Sequence, residues 1–335
     1  MERRTALALE KLKISVIVPV YNVAAYVEKC LLSLAVQTYP YMEVIVVDDG
    51  SSDGSSRICD AWPTRDGRFQ VIHLPENQGL SSARNEGVRR ASGAYIAFVD
   101  SDDYVEPGLL EKLYRALVES CADISACGDE GLRLKAGPAR VFSAVDTARC
   151  LARRSPFLWT AWGKLFPAEL VKQIPFDRQA HCCEDLLFFY QVLRRDCRVA
   201  YVPDSLYHYV YREGSLINNG VTEKRCVVLS VLDWICADAA VNFPETAFCF
   251  QQISLDTAAR LSMQAVENGT DGNLQDYLKR FRDHARCHFS WRAWKLCPDK
   301  KSLAAELALC TGVPVFGMLA AAYRMIKPLW KGGVE

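Results

Sequence analysis

Asp100-Ser101-Asp102 sets two carboxylates one residue apart at the end of an apolar run, with Asp103 directly after them. At a strand end such a pair can share a hard divalent cation, Mg2+ or Mn2+, that bridges the phosphates of a nucleotide. The same residues also suit a plain acidic turn in which Asp103 caps the next helix. A second acidic turn, Asp48-Asp49-Gly50-Ser51, follows another apolar run. Asp49 can accept a hydrogen bond from the ring N–H of a nucleobase, or it can close its own turn; Asp48 reads as the structural partner of the two. Arg84 falls one turn into a helix opened by Gly79-Leu80-Ser81, where helix N–H groups already favour anions. From there it can reach a base or a diphosphate; otherwise it is a surface arginine. Further on, Glu184-Asp185 opens a helix whose Phe188, Phe189, Val192 and Leu193 read as buried. Two acids in a first helical turn complement the helix dipole, which is reason enough for them to stand there.

These groups need a scaffold that brings strand ends together. Short β-rich runs at 14–20, 43–48, 69–74 and 94–100 alternate with helical patterns, which predicts a parallel sheet with crossover helices, a Rossmann-like α/β half. Between the first two runs Val23, Tyr26, Val27, Cys30, Leu31 and Leu34 recur at helical spacing behind Asn22, which reads as an N-cap. Helices are predicted at 80–91 and 107–119. In open sheets of this kind ligands bind outside the carboxyl ends of the strands. Every such end here is polar: Pro19-Val20-Tyr21-Asn22, Asp48-Asp49-Gly50-Ser51, Glu76-Asn77-Gln78-Gly79 and Asp100-Ser101-Asp102-Asp103. Beyond them the pattern predicts a strand at 123–127, a helix at 184–194 and a strand at 199–202, then helices only after 222. The boundary is placed near 220, giving an α/β domain over 1–220 and a helical region over 221–335.

With 335 residues, half of them apolar, the chain can bury a large core. Its 40 basic and 40 acidic residues cancel, so no global positive field draws nucleic acid and no such partner is expected. Fourteen cysteines without a CxxC pair, in a chain of this size, read as mostly buried reduced thiols. His181-Cys182-Cys183 raises the question of zinc, but adjacent side chains diverge and no second pair lies nearby. The opening MERRTALALEKLK holds no apolar stretch of signal-peptide length. No segment reaches the ~20 apolar residues of a spanning helix, so a cytoplasmic location is expected. The stretch 313–331, with Arg324, Lys327, Trp330 and Lys331 at its end, suits either an interfacial membrane helix or a last helix docked on the protein's own core. Pro314, Gly317 and Pro328 weaken any long helix there. His73, His284 and His288 suggest only surface or core roles.

Taken in order, SVIVPVYN (15–22), VVDDGSSDGS (46–55), NQGLSSARNEG (77–87) and FVDSDDYVEPG (98–108) resemble glycosyltransferase family 2, whose nucleotide-binding half has the GT-A fold. The resemblance is strong over the first two-fifths of the chain. It implies an inverting, metal-dependent glycosyltransferase (hexosyl or N-acetylhexosaminyl) with a UDP-sugar donor and Mn2+ or Mg2+. Pro19 and Tyr21 would then line the nucleobase pocket, Asp49 bind uracil, and Asn77, Gly79 and Arg84 contact the nucleotide. Asp100 would lie against the ribose or donor sugar, with Asp102 the principal metal ligand and Asp100 beside it. The family carries an acidic pair like Glu184-Asp185, which makes Asp185 the base for the acceptor hydroxyl and Glu184 its orienting neighbour. Trp162-Gly163-Lys164-Leu165-Phe166 resembles the family's segment on the acceptor side, where Trp162 either stacks on a sugar or simply packs. Tyr207 to Ser215 resembles its late segment over the diphosphate, where Arg212 offsets leaving-group charge and His208 is an alternative that reaches the metal. The implied acceptor is a saccharide or lipid-linked saccharide in surface polysaccharide or glycoconjugate assembly, with acceptor, partner or membrane contact after 220, the last through 313–331. A nucleotidyltransferase would need a basic glycine-rich loop where this chain has Val20-Tyr21-Asn22-Val23. A non-catalytic nucleotide-sugar-binding or scaffolding subunit would lose the acidic pair, which is present.

Overall fold

The computed structural model describes residues 12–129, 137–152, 159–180, 182–211, 220–297 and 300–318. They fall into two compact units, one of 1–147, 155–179 and 184–212, the other of 148–154, 180–183 and 213–335.

The first unit is a mixed sheet flanked by helices. Its strands are β1 (Ile14–Val20), β2 (Met42–Asp48), β3 (Phe69–His73), β4 (Tyr95–Phe98), β5 (Tyr104–Val105), β6 (Ile124–Asp129), β7 (Arg140–Phe142), β8 (Lys164–Pro167) and β9 (Val199–His208). They run in the order β3-β2-β1-β4-β8-β6-β9-β5, with β7 beside β9. β1 to β4 are parallel, as the alternating pattern predicts, whereas β8 is antiparallel to both β4 and β6. β1 and β2 bury every residue, which is why they read as unbroken apolar runs and not as alternation. The flanking helices are α1 (Val27–Ala35), α2 (Ser55–Asp60), α3 (Trp62–Arg65), α4 (Leu80–Arg90), α5 (Leu109–Ser120), α6 (Ala144–Ala152), α7 (Ala168–Gln173) and α8 (Glu184–Leu193). α1 buries Val27, Cys30, Leu31 and Leu34, the stripe its spacing predicts.

Two expectations change. Asn22 does not cap α1, which starts at Val27 behind Tyr26. It sits at φ +50° and joins two loops: its Oδ1 accepts the Ser52 N–H at 2.9 Å, and its own N–H reaches Ser51 Oγ at 3.1 Å. Asparagine tolerates this left-handed backbone, so it serves a loop here better than a helix start. The strand predicted at 199–202 continues to His208, because the β6–β9 pairing slips across Pro203-Asp204, with Cys127 opposite Val202 and Gly128 opposite Ser205. Proline reads as a stop in sequence but is accommodated at such an irregularity.

The second unit is helical among its described residues: α9 (Glu223–Asn242), α10 (Ala247–Asn268), α11 (Leu274–His288), α12 (Trp291–Trp294) and α13 (Lys300–Thr311). α10 packs against the other four and is buried around most of its circumference, so its apolar pattern has no single stripe. No helix among the described residues is long and apolar enough to cross a membrane. Of the stretch 313–331, residues 313–318 are helical and 319–331 lie outside the described residues. All fourteen thiols are free and eight are buried. Cys183 is buried and its Sγ meets the Ala180 carbonyl at 3.8 Å, Cys182 is exposed, and His181 lies outside the described residues.

Candidate active site

The parallel register places Val20 opposite Asp48 and Asp48 opposite His73, so the carboxyl ends of β1, β2 and β3 lie side by side. Pro19 is buried in β1, and Tyr21 just beyond it is 45% exposed. The two buried aspartates at the end of β2 divide their work. Asp48 closes the turn, accepting Ser51 N–H at 3.1 Å and Ser56 Oγ–H at 2.6 Å, and faces His73 Nδ1 at 2.8 Å. Burial alone would raise its pKa, but the bonds from Ser51, Ser56 and His73 outweigh it and hold Asp48 below the ordinary value. Asp49 does not close its own turn. Its two oxygens reach the loop after β3 and accept Gln78 N–H and Gly79 N–H, each at 2.8 Å. Burial outweighs those two bonds and raises its pKa. Each oxygen of a carboxylate has capacity for a second hydrogen bond, so this fixing leaves room for a nucleobase donor. Gly50, at φ +72°, lets the two loops touch: a Cβ there would lie 2.9 Å from the Asn77 nitrogen. Asn77 keeps an exposed side chain, and Gly79, at φ +90°, precedes α4.

Arg84 is not a surface arginine. α4 carries it inward to 1% exposure, where Nη2 donates to Asp100 Oδ1 at 2.9 Å and Nη1 donates to Asp185 Oδ1 while lying 3.7 Å from Glu184 Oε1. The other Asp185 oxygen accepts the Ala161 N–H at 2.8 Å. Arg84 Nε is buried with no protein partner among the described residues. Burial would lower the pKa of Arg84, but Asp185, Asp100 and Glu184 together raise it. The acids are displaced the other way. Burial raises the pKa of Asp100, opposed by Arg84 and reinforced by Asp185 and Asp102. Burial, then the charge of Asp185, pushes Glu184 up to about 7. Burial also pushes Asp103 up to about 7, against hydrogen bonds from Val210 and Tyr207. Lys164, whose Nζ donates to the Thr160 carbonyl at 2.6 Å, is drawn down to about 8 by its own burial, against the pull of Asp185. Asp100, Glu184 and Asp185 thus surround one guanidinium, with Asp102 and Asp103 adding their charge beside Asp100 and a weakened ammonium near Asp185. An all-oxygen donor set with surplus negative charge fits a hard divalent cation.

Asp103 does not cap α5, which begins behind Gly108. It accepts Tyr207 O–H at 2.8 Å and Val210 N–H at 2.8 Å, and the Tyr207 oxygen accepts the Asp100 N–H at 3.1 Å. Tyr207 in turn stacks on Trp162, with ring centroids 4.1 Å apart and planes 12° from parallel. Trp162 is 6% exposed, so its role here is packing and not sugar stacking. His208 meets Glu106 Oε1 at 2.6 Å and stacks on Tyr104. Arg212 lies outside the described residues. Tyr207 as the brace of Asp100 and Asp103 has no sequence signal beyond its place in a tyrosine-rich run.

The family model of Glycosyl transferase family 2 matches residues 15–130. "Glycosyltransferase GlyA" of Streptococcus pneumoniae serotype 4 is 40% identical over 219 residues, which is 61% of this chain but only 31% of that relative. An "Uncharacterized glycosyltransferase" of Haemophilus influenzae is 34% identical over 186 residues, 54% of this chain and 72% of the relative. Among solved structures, S. aureus TarS 1-349 in complex with UDP superposes with a TM-score of 0.67 at 22% identity, covering 93% of this chain and 91% of that one. At that identity the likeness concerns the fold, a GT-A sheet followed by helices.

Proposed function

The chain belongs to glycosyl transferase family 2, and from that premise we propose that it moves a sugar, with inversion, from a UDP-sugar to a hydroxyl of a saccharide or lipid-linked saccharide in surface polysaccharide or glycoconjugate assembly. The observation that carries this reading is the guanidinium of Arg84 held between Asp100, at the end of β4, and Asp185, at the start of α8. It draws the strand-end carboxylates suited to nucleotide chemistry into one cluster with an acidic pair suited to moving a proton.

In this reading Asp49, its carboxylate fixed by two backbone N–H groups, accepts the uracil ring N–H, with Pro19 and Tyr21 beside the base and Asn77 and Gly79 next along the nucleotide. Asp102 and Asp100 hold Mn2+ or Mg2+, whose chemistry when bound is to offset charge on the diphosphate. Asp185, oriented by Arg84 and the Ala161 N–H, takes the proton of the acceptor hydroxyl while the hydroxyl oxygen bonds to the anomeric carbon and the bond from that carbon to the diphosphate breaks, releasing UDP. Arg212 is the sequence-based choice for the leaving group. Glu184 stands beside Asp185 at the start of α8 and is the alternative base, its carboxylate 3.7 Å from Arg84 Nη1. The α/β domain over 1–220 houses this chemistry in the cytoplasm, and the helical region over 221–335 serves acceptor, partner or the inner membrane face.

UDP release from a panel of UDP-sugars, with Mn2+ or Mg2+, tests the reading. Donor-dependent release should disappear in Asp102→Ala and Asp185→Asn, with UDP binding kept in Asp185→Asn. If Glu184→Gln abolishes turnover and Asp185→Asn only slows it, Glu184 is the base. Failure of well-folded protein to bind UDP with either metal overturns the UDP-sugar assignment.

A further inference from the structure

His284 and His288 stand four residues apart on α11 and so project from one face of the helix. Asp233 on α9 meets them there. Its Oδ1 lies 3.2 Å from His284 Nδ1 and 2.6 Å from His288 Nε2, and the three ligand atoms are all within 4.8 Å of one another. Nitrogen and oxygen ligands at ~2.0–2.2 Å from a tetrahedral zinc ion are about 3.3–3.6 Å apart, which the His284 contact at 3.2 Å nearly meets and the His288 contact at 2.6 Å would reach by opening about 1 Å. The far nitrogen of His284 is engaged as well: Nε2 lies 2.6 Å from Ser254 Oγ on α10. A hydrogen bond of that kind, with Nε2–H donating, leaves the Nδ1 lone pair facing Asp233 and fixes the ring, as outer partners of metal-binding histidines do. The three side chains range from buried to open, 6% exposed at His284, 13% at His288 and 56% at Asp233, so an ion can enter from the Asp233 side and keep a water.

We propose that Asp233, His284 and His288 form a site for a first-row transition-metal ion, zinc foremost, that ties α9 to α11 and leaves one position open to solvent. Two imidazoles select such an ion over Mg2+, which prefers all-oxygen ligation. The site is separate in chemistry from the acid cluster around Arg84.

Titration of the full chain with Co2+ as a zinc surrogate is the test, read from the visible d–d bands of four-coordinate cobalt. We expect these bands in the intact protein and in Asp102→Ala. Asp233→Asn, at an exposed position, and His288→Ala, at the end of α11, with the fold of each checked by circular dichroism, should bind Co2+ more than ~100-fold weaker, beyond the 10–100-fold typical of losing an outer partner. Zn2+ should raise the melting temperature of the intact protein and not that of either variant. Absence of the bands, their survival in both variants, or thiolate charge-transfer bands marking cysteine ligation would overturn the proposal.

Discussion

Arg84→Met keeps roughly the length of the side chain and removes its charge, so it isolates what the guanidinium does for the acids it holds. The guanidinium is 1% exposed, and the side chains of Asp100, Asp185 and Glu184 are 25%, 20% and 13% exposed, so solvent screens these pairs little. Removing one partner of a buried ion pair costs about 3–5 kcal/mol. That is a large share of the ~5–15 kcal/mol by which a domain is stable. The loss should depend on pH. Asp100 and Glu184 already have raised pKa values, and without the cation theirs rise further. The native state then binds more protons than the unfolded chain, so stability falls as pH rises from the unfolded pKa values toward the folded ones. Well above the variant's raised pKa values the whole penalty is felt, and below them about 1.4 kcal/mol returns per pH unit over which an acid is protonated in the variant and ionised in the intact protein. We expect urea unfolding, followed by tryptophan fluorescence, to place the variant about 3–5 kcal/mol below the intact protein at a pH above those values and roughly half that at one below them. Arg84→Lys should recover part of the loss, because it restores charge without the planar fork. An equal gap at both pH values, or one below about 1 kcal/mol, refutes the reasoning.

Tyr207→Phe deletes the hydroxyl that donates to Asp103 and accepts from the Asp100 N–H, and should cost about 1.5–3 kcal/mol, seen as a lower melting temperature; an unchanged melt contradicts it. His73 has a pKa raised first by its bond to Asp48 and then by Asp60, so its contribution is present below the unfolded value of 6.5 and is lost as pH rises through the folded one. His73→Gln should therefore be less stable than the intact chain near pH 6 and match it near pH 8, and a constant difference in denaturation midpoint would count against this. Gly50→Ala forces a Cβ at φ +72° to within 2.9 Å of the Asn77 nitrogen, so a loss of about 2–4 kcal/mol is expected, together with weaker UDP binding by calorimetry. Wild-type affinity in that variant would show that the two loops need not touch.

The strands that line the nucleotide side were legible because each ends in a polar turn and β1 and β2 are buried on both faces. The run at 14–20 has the limits of β1, and the run at 43–48 misses β2 by one residue. β8 was not legible. It has four residues, follows Gly163 at φ +67°, and owes its strand conformation to β4 and β6 on either side and not to any local pattern. The same limit applies at the site. Asp100, Asp102, Glu184 and Asp185 were picked out by type and position, but nothing local distinguishes Arg84 from a surface arginine on a helix. Its partners Asp100 and Asp185 are 16 and 101 residues away, so its role exists only once α8 has docked beside β4. The zinc candidate followed the same rule in reverse: His181-Cys182-Cys183 drew notice as neighbours in sequence, while Asp233, His284 and His288 meet only through helix packing.

The charge balance of the site bears on why its parts are arranged this way. Glu184 and Asp103 pushed up to about 7, and Asp100 raised above its ordinary value, share burial as their first cause, to which neighbouring carboxylates add; Arg84 pulls only Glu184 and Asp100 back, and burial weakens Lys164 to about 8. A nucleotide diphosphate brings further negative charge to such a place and would be repelled if it came alone. The surplus acids are then not a defect of packing tolerated for stability's sake, since a core acid with nothing to do is better replaced by an apolar residue. In the proposed function their unfavourable proximity is relieved when a divalent cation binds. Arg84 keeps the acids together in the interval, close enough to the end of β4 and the start of α8 that both halves of a transfer reaction can share one electrostatic centre.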